Sequence, residues 1–270
     1  LLSTSEIKDP PMRLIANISM LFTQLPLAER LAAARQAGFE AIEIQFPQDG
    51  DIAALQAAAS NTGLPITLIN VPRGPGDAVG LAALPGQEQA FREAVATCAA
   101  HAQALGVRKV NVLAGRPAPG ADLALCRQVL KDNLLQTADV MEKIGVQVMV
   151  EPVNPMDVPG FFLTGLRPAL ELLTELSHPN LALQFDFYHM ARTEPDLCDA
   201  IAQAGPHIGH VQFADTGGRH EPGTGSIDFA AAFAALRPTG YDDDVSAEYK
   251  PAGRTMDGLG WITDFKRMIT

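Results

Sequence analysis

Residues 108–151, RKVNVLAGRPAPGADLALCRQVLKDNLLQTADVMEKIGVQVMVE, hold the pattern that decides the architecture. RKVNVL (108–113) is a short run rich in Val and Leu, 121–144 carries Ala, Leu and Val at helical spacing, and GVQVMVE (145–151) is a second short apolar run that ends on a glutamate. A strand, a long crossover helix and a second strand make a parallel pair. Gly145 follows the helical run, as a C-terminal glycine does.

The same unit repeats outward in both directions. RLIANI (13–18), EAIEIQF (40–46) and LPITLIN (64–70) precede it, and LALQFD (181–186), HIGHVQF (207–213) and DVSAEYK (244–250) follow. Helices are expected over 26–37, 51–60, 86–105, 166–177, 196–204, 228–236 and 257–268. Eight such units close into an α/β fold of the (β/α)8 TIM-barrel type. An open doubly wound sheet would require a glycine-rich phosphate loop after its first strand, and NISMLF (17–22) supplies none. No nucleotide cofactor is therefore expected. Residues 12–270 read as a single barrel domain, and 1–11 (LLSTSEIKDPP) as a leader outside it.

The 270 residues are 47% hydrophobic, enough for a substantial core. Against 31 Asp+Glu stand 20 Lys+Arg, a formal charge of −11. That argues against nucleic acid, which calls for a basic footprint, and against an anionic membrane surface. A small acidic substrate stays open, because a local site can differ from the whole. Cys98, Cys126 and Cys198 are sparse and form no CxxC, so the chain is expected in a reducing, cytoplasmic setting. Barrel surfaces often pair, and a homo-oligomer is compatible with the sequence.

In a TIM barrel the chemistry gathers at the C-terminal strand ends. Glu151, Asp186, Gln212 and Glu248 lie at the ends of four successive expected strands, the fifth to the eighth. Charged groups go inside only when paired or metal-bound. Three carboxylates at one mouth repel each other, and a divalent cation relieves the repulsion. An all-oxygen set favours Mg²⁺ or Mn²⁺ over zinc. Glu151 and Glu248, on either side of a polarised carbonyl, could move a proton between neighbouring carbons, as in aldose–ketose isomerisation or epimerisation. Asn70 ends the third strand and would face the substrate. His189 could orient or protonate a substrate oxygen. Arg219 and His220, in DTGGRHEPGTG, and Lys250 could meet an anionic group; each could equally be an ordinary loop residue.

The strings EPVNPMDVPGFFL (151–163), NLALQFDFYHM (180–190), HIGHVQFADTGGRHEPGTGSIDF (207–229) and EYKPAGRTMDGLGW (248–261) resemble the hydroxypyruvate isomerase family, within the xylose-isomerase-like barrels. The resemblance runs from about Met12 to Trp261. It implies a metal-assisted isomerase that interconverts hydroxypyruvate and tartronate semialdehyde, with a sister group acting on 2-oxo-tetronates. It implies Glu151, Asp186, Gln212 and Glu248 at the metal, Glu151 and Glu248 as the proton-transfer pair, His189 and Arg219 on substrate oxygens, and Asp157 over the substrate. Related ketose 3-epimerases carry a histidine where Gln212 stands. The glutamine favours isomerase over epimerase and leaves room for a weakly held ion. A non-catalytic sugar-acid binding protein is the alternative outside enzymes.

Overall fold

The computed structural model describes residues 12–270. The expected leader, 1–11, lies outside the described residues. The strands are β1 (Arg13–Asn17), β2 (Ala41–Ile44), β3 (Ile66–Asn70), β4 (Lys109–Val112), β5 (Gln147–Val150), β6 (Leu181–Asp186), β7 (Ile208–Phe213) and β8 (Asp244–Ala247). Each pairs in parallel with the next, and β8 pairs with β1, with Arg13 opposite Asp244 and Ala16 opposite Ala247. The sheet is thus a closed eight-stranded barrel, as the alternating pattern implies.

The helices are α1 (Arg30–Gln36), α2 (Ile52–Thr62), α3 (Glu88–Leu105), α4 (Leu123–Glu142), α5 (Leu166–Leu176), α6 (Phe187–Thr193), α7 (Leu197–Ala204), α8 (Phe229–Leu236) and α9 (Ile262–Ile269). Their starts follow local chemistry. The carboxylates of Asp51, Asp122, Asp196 and Asp228 accept backbone N–H groups at the first turns of α2, α4, α7 and α8. Among the described residues, no helix is long and apolar enough to cross a membrane.

Two differences from the sequence reading have physical causes. First, α6 was not expected. Asp186 ends β6 and its side chain accepts the Tyr188 N–H, so the strand residue is itself the helix cap and no linker marks the change. Second, the last helix starts at Ile262 rather than 257, because Thr255–Gly258 form a tighter 3-10 turn first.

The helices cover the outside of the barrel with apolar side chains. One knot of aromatics, Phe213, Phe229, Phe233, Trp261 and Phe265, welds α8 and α9 to β7, with ring centres 4.8 to 6.4 Å apart. The barrel interior is different. Asn17, Glu43, Asn111, Gln184, His210, Gln212 and Ser246 are all buried there. At the N-terminal rim, Asp244 pairs with Arg13 at 2.8 Å and Asp243 with Lys109 at 2.6 Å.

Candidate active site

The strands deliver a ring of polar groups to the C-terminal mouth. Glu151 directly follows β5, Asp186 ends β6 opposite Gln212 of β7, and Glu248 directly follows β8, its N–H held by the Phe213 carbonyl at 3.0 Å. All four are buried. Burial raises what a charge costs, so each carboxylate needs donors.

Glu151 accepts from Asn111 Nδ2 at 2.7 Å. Burial, and then Asp186, push it up to about 7, with Arg219 and Asn111 opposing. Glu248 accepts on Oε1 from Asn17 Nδ2 (2.9 Å) and Gln45 Nε2 (2.7 Å), and on Oε2 from Arg219. Burial raises it too, against the pull of Arg219. Asp186 gives Oδ1 to the Tyr188 N–H at 2.8 Å and Oδ2 to Arg219 Nη2 at 3.0 Å. One guanidinium nitrogen thus bridges Asp186 and Glu248, and these carboxylates together with Glu151 outweigh burial and keep Arg219 charged. Its Nε is buried without a partner among the described residues, a donor left free in the site.

Arg219 reaches this position from the loop after β7. Its φ is +58°, a left-handed conformation that a side chain adopts only when its surroundings enforce it. Buried Asp215 anchors the loop by accepting the N–H groups of Thr216 (2.8 Å), Gly223 (2.8 Å) and Ile227 (3.1 Å). His220 Nδ1 donates to the Lys250 carbonyl at 2.6 Å, and Lys250 N donates to the Arg219 carbonyl at 2.7 Å. His220 and Lys250 therefore brace the backbone that carries Arg219.

His189, on α6, has its Nε2 3.8 Å from Glu151 Oε1 and 3.6 Å from Asp186 Oδ2. Its tautomer follows from its neighbour. Asn154 Oδ1 accepts the Asp157 N–H at 2.9 Å, so Asn154 Nδ2 is the atom 2.7 Å from His189 Nδ1. Nδ1 is therefore an acceptor, and Nε2 carries the hydrogen toward the carboxylates. Burial, with Arg219 and Arg192 nearby, pulls His189 well below its ordinary value, so the ring is neutral.

A cavity of about 150 Å³ opens on this ring. Asn70, Glu151, His189, Arg219 and Glu248 line it, as do Gln45, Phe46 and Arg73; Val79, Leu113, Val153, Val158 and Phe161 form an apolar wall. It is small beside the roughly 300–1,000 Å³ of pockets for drug-sized ligands, and suits a compound of a few carbons. Asp157, His220 and Lys250 do not line it. Asp157 is instead 4.0 Å from Arg192. Asn17 and Gln45 were missed, although each lies at or just beyond a strand end and the rule that found Asp186 would have found them. Asn154 and Arg73 lie in irregular connections, where strand periodicity does not say which side chains turn inward.

A divalent cation is the implied cofactor, and the donor set tests it. Glu151, Asp186 and His189 offer ligand atoms within 4.8 Å of one another, so the cluster could hold such an ion. Three carboxylates share the site with one guanidinium, which leaves an acidic excess that a hard cation would neutralise. Glu151 and Asp186 fit that task; Glu248 lies outside the cluster, with Oε1 taken by Asn17 and Gln45 and Oε2 by Arg219. His189 fits less well, because coordination through Nε2 would require moving its hydrogen against the Asn154 amide. Gln212 is also engaged: its Nε2 donates to Glu43 at 2.7 Å and its Oε1 accepts from Gln184 Nε2 at 2.7 Å.

Residues 31–265 match the family model described as xylose isomerase-like TIM barrel. The chain is 38% identical to hydroxypyruvate isomerase of Escherichia coli (strain K12) over 257 residues, covering 94% of this chain and all of that one. It is 35% identical to 2-oxo-tetronate isomerase of Cupriavidus necator, covering 94% of this chain and 98% of that protein. Among solved structures, a crystal structure described as AP endonuclease, family 2, from Brucella melitensis superposes with a TM-score of 0.90 at 34% identity, covering 94% and 99% of the two chains.

Proposed function

Because the chain belongs to the hydroxypyruvate isomerase-like family of xylose isomerase-like TIM barrels and is an isomerase of that kind, we propose that it interconverts hydroxypyruvate and tartronate semialdehyde by proton transfer between Glu151 and Glu248. The observation that carries this reading is the placing of both glutamates in the lining of one small cavity, with His189 and Arg219 beside them.

The reaction needs a base and an acid on neighbouring carbons. One glutamate takes a proton from C3, the C–H electron pair becomes the C2–C3 double bond, and negative charge moves onto the C2 oxygen. The O3 proton passes to the C2 oxygen, a C3–O3 double bond forms as the C2–C3 pair takes up a proton at C2, and the product is the aldehyde with a hydroxyl on C2. Burial and Asp186 push Glu151 up to about 7 in the metal-free site, which suits a carboxyl that both accepts and releases a proton. The His189 Nε2–H and the free Arg219 Nε–H are donors for the enediolate oxygens. The apolar wall keeps bulk water from the intermediate. When bound at Glu151 and Asp186, Mg²⁺ or Mn²⁺ would polarise the substrate carbonyl.

The test is solvent-deuterium exchange at C3 of hydroxypyruvate, followed by NMR with and without Mg²⁺ or Mn²⁺, and run in parallel with a 2-oxo-tetronate. The unmodified protein should exchange the proton. Glu151→Gln and Glu248→Gln should each slow conversion to tartronate semialdehyde by about 10²-fold or more, and the variant that lacks the C3 base should lose C3 exchange as well, while binding changes only a few-fold. Full conversion in either variant, full C3 exchange in both, or none in the parent with any of these acids, refutes the proposal.

A further inference from the structure

The site poses an electrostatic problem for an acidic substrate. Glu151, Glu248 and the adjoining Asp186 would repel a carboxylate, and Arg219 is already committed to Asp186 and Glu248. Neither His220 nor Lys250 lines the cavity.

Arg73 does. It follows β3 in the 71–87 connection, is exposed, and lines the cavity. Its guanidinium carbon lies 5.0 Å from the centre of the Phe46 ring. Among the described residues no carboxylate pairs with it. Stacking on an aromatic face holds a guanidinium in place without consuming its hydrogen-bond donors.

A second cavity, of about 410 Å³, adjoins the first and shares Gln45, Phe46 and Arg73 with it. Ser19, Arg30 and Asp49 also line this space. The Arg30 donors go to the Leu25 and Ile18 carbonyls, at 2.9 and 2.7 Å, which leaves its charge uncompensated. Two arginines against one aspartate make the second cavity locally cationic on an acidic protein, and Arg73 is the cation that both cavities share.

We propose that Arg73 recognises the substrate carboxylate and thereby selects 2-oxo acids over neutral sugars, the carboxylate lying at the junction of the two cavities and the reacting carbons between Glu151 and Glu248. This rests on the reading of the site as a 2-oxo-acid isomerase. The fork of Arg73 can take both carboxylate oxygens, and Phe46 holds it ready for them.

The test is calorimetric titration of the full chain with hydroxypyruvate. Arg73→Met keeps a chain over Phe46 and removes the charge; it should weaken binding roughly ten- to a hundredfold. Arg73→Lys should recover part of the loss. Binding within twofold of the parent in Arg73→Met overturns the assignment. If the parent binds neither hydroxypyruvate nor a 2-oxo-tetronate, the assignment and the underlying reading both fail. If the parent binds but does not exchange the C3 proton, the reading of the reaction fails, and the assignment of Arg73 still stands or falls on the affinities.

Discussion

Glu151 shows what burial does to a single carboxyl group. Lifted from 4.5 to about 7, first by desolvation and then by Asp186, it keeps its proton in the folded chain at pH values where the unfolded chain has lost it. The sign of the stability effect follows. The contribution is present in full below the unfolded value of 4.5 and is lost as pH rises through about 7. For this group alone the swing is on the order of 3 kcal/mol. Urea denaturation of metal-free protein should therefore show a component that weakens from pH 4.5 to 7.5 and is absent in Glu151→Gln. An unchanged pH profile in that variant would show that Glu151 is not the group responsible. The charges at strand ends were legible in the sequence because their positions there are local facts. The His189 tautomer was not, because it depends on Asn154, 35 residues away in the chain.

At the scale of elements, the site depends on connections more than on strands. The 71–87 connection brings Arg73 and Val79 to the cavity, and a close backbone approach to the exit of β4 straps it down. Gly80 has φ +130°, and a Cβ there would overlap the Leu113 carbonyl. Gly115 likewise packs against the Gly80 carbonyl. Only residues without a side chain allow this approach. Gly80→Ala should cost about 1–3 kcal/mol in urea denaturation and weaken hydroxypyruvate binding, because it displaces Arg73 and Val79 together. Stability and affinity both equal to the parent would show that the strap is dispensable. Which residues of the 71–87 connection face the cavity depends on the strap and not on the local sequence. The same holds beyond β8. Lys250 and Glu248 look alike as rim residues in the string EYK, yet β8 ends at Ala247, and the chain leaves the barrel with Lys250 exposed.

At the scale of the whole molecule, the barrel is closed around a polar interior. Glu43 of β2 reaches across to His210 of β7 at 2.7 Å and also accepts from Asn17 (2.8 Å) and Gln212 (2.7 Å). Burial opposes its ionisation, but His210, Gln212 and Asn17 together hold it below its ordinary value. This knot ties β1, β2 and β7 together, and Asn17 links it to Glu248 at the barrel mouth. Removing one member strands the others without water, so Glu43→Leu should destabilise the fold by about 3–5 kcal/mol in urea denaturation. A loss under 1 kcal/mol would show that the interior tolerates an apolar plug. The alternation of short apolar runs and helical stretches, and the acidic residues that end those runs, follow from periodicity and composition, and the sequence alone determined them: a parallel α/β barrel with Glu151, Asp186, Gln212 and Glu248 at one mouth. Only closure of β8 onto β1 could decide that Arg219 bridges Asp186 and Glu248, that Gln212 turns to Glu43, and that Arg73 shares a cavity with the two glutamates. These are contacts between groups far apart in the chain, and their energies depend on distance and on exclusion of water, which exist only once the barrel has formed.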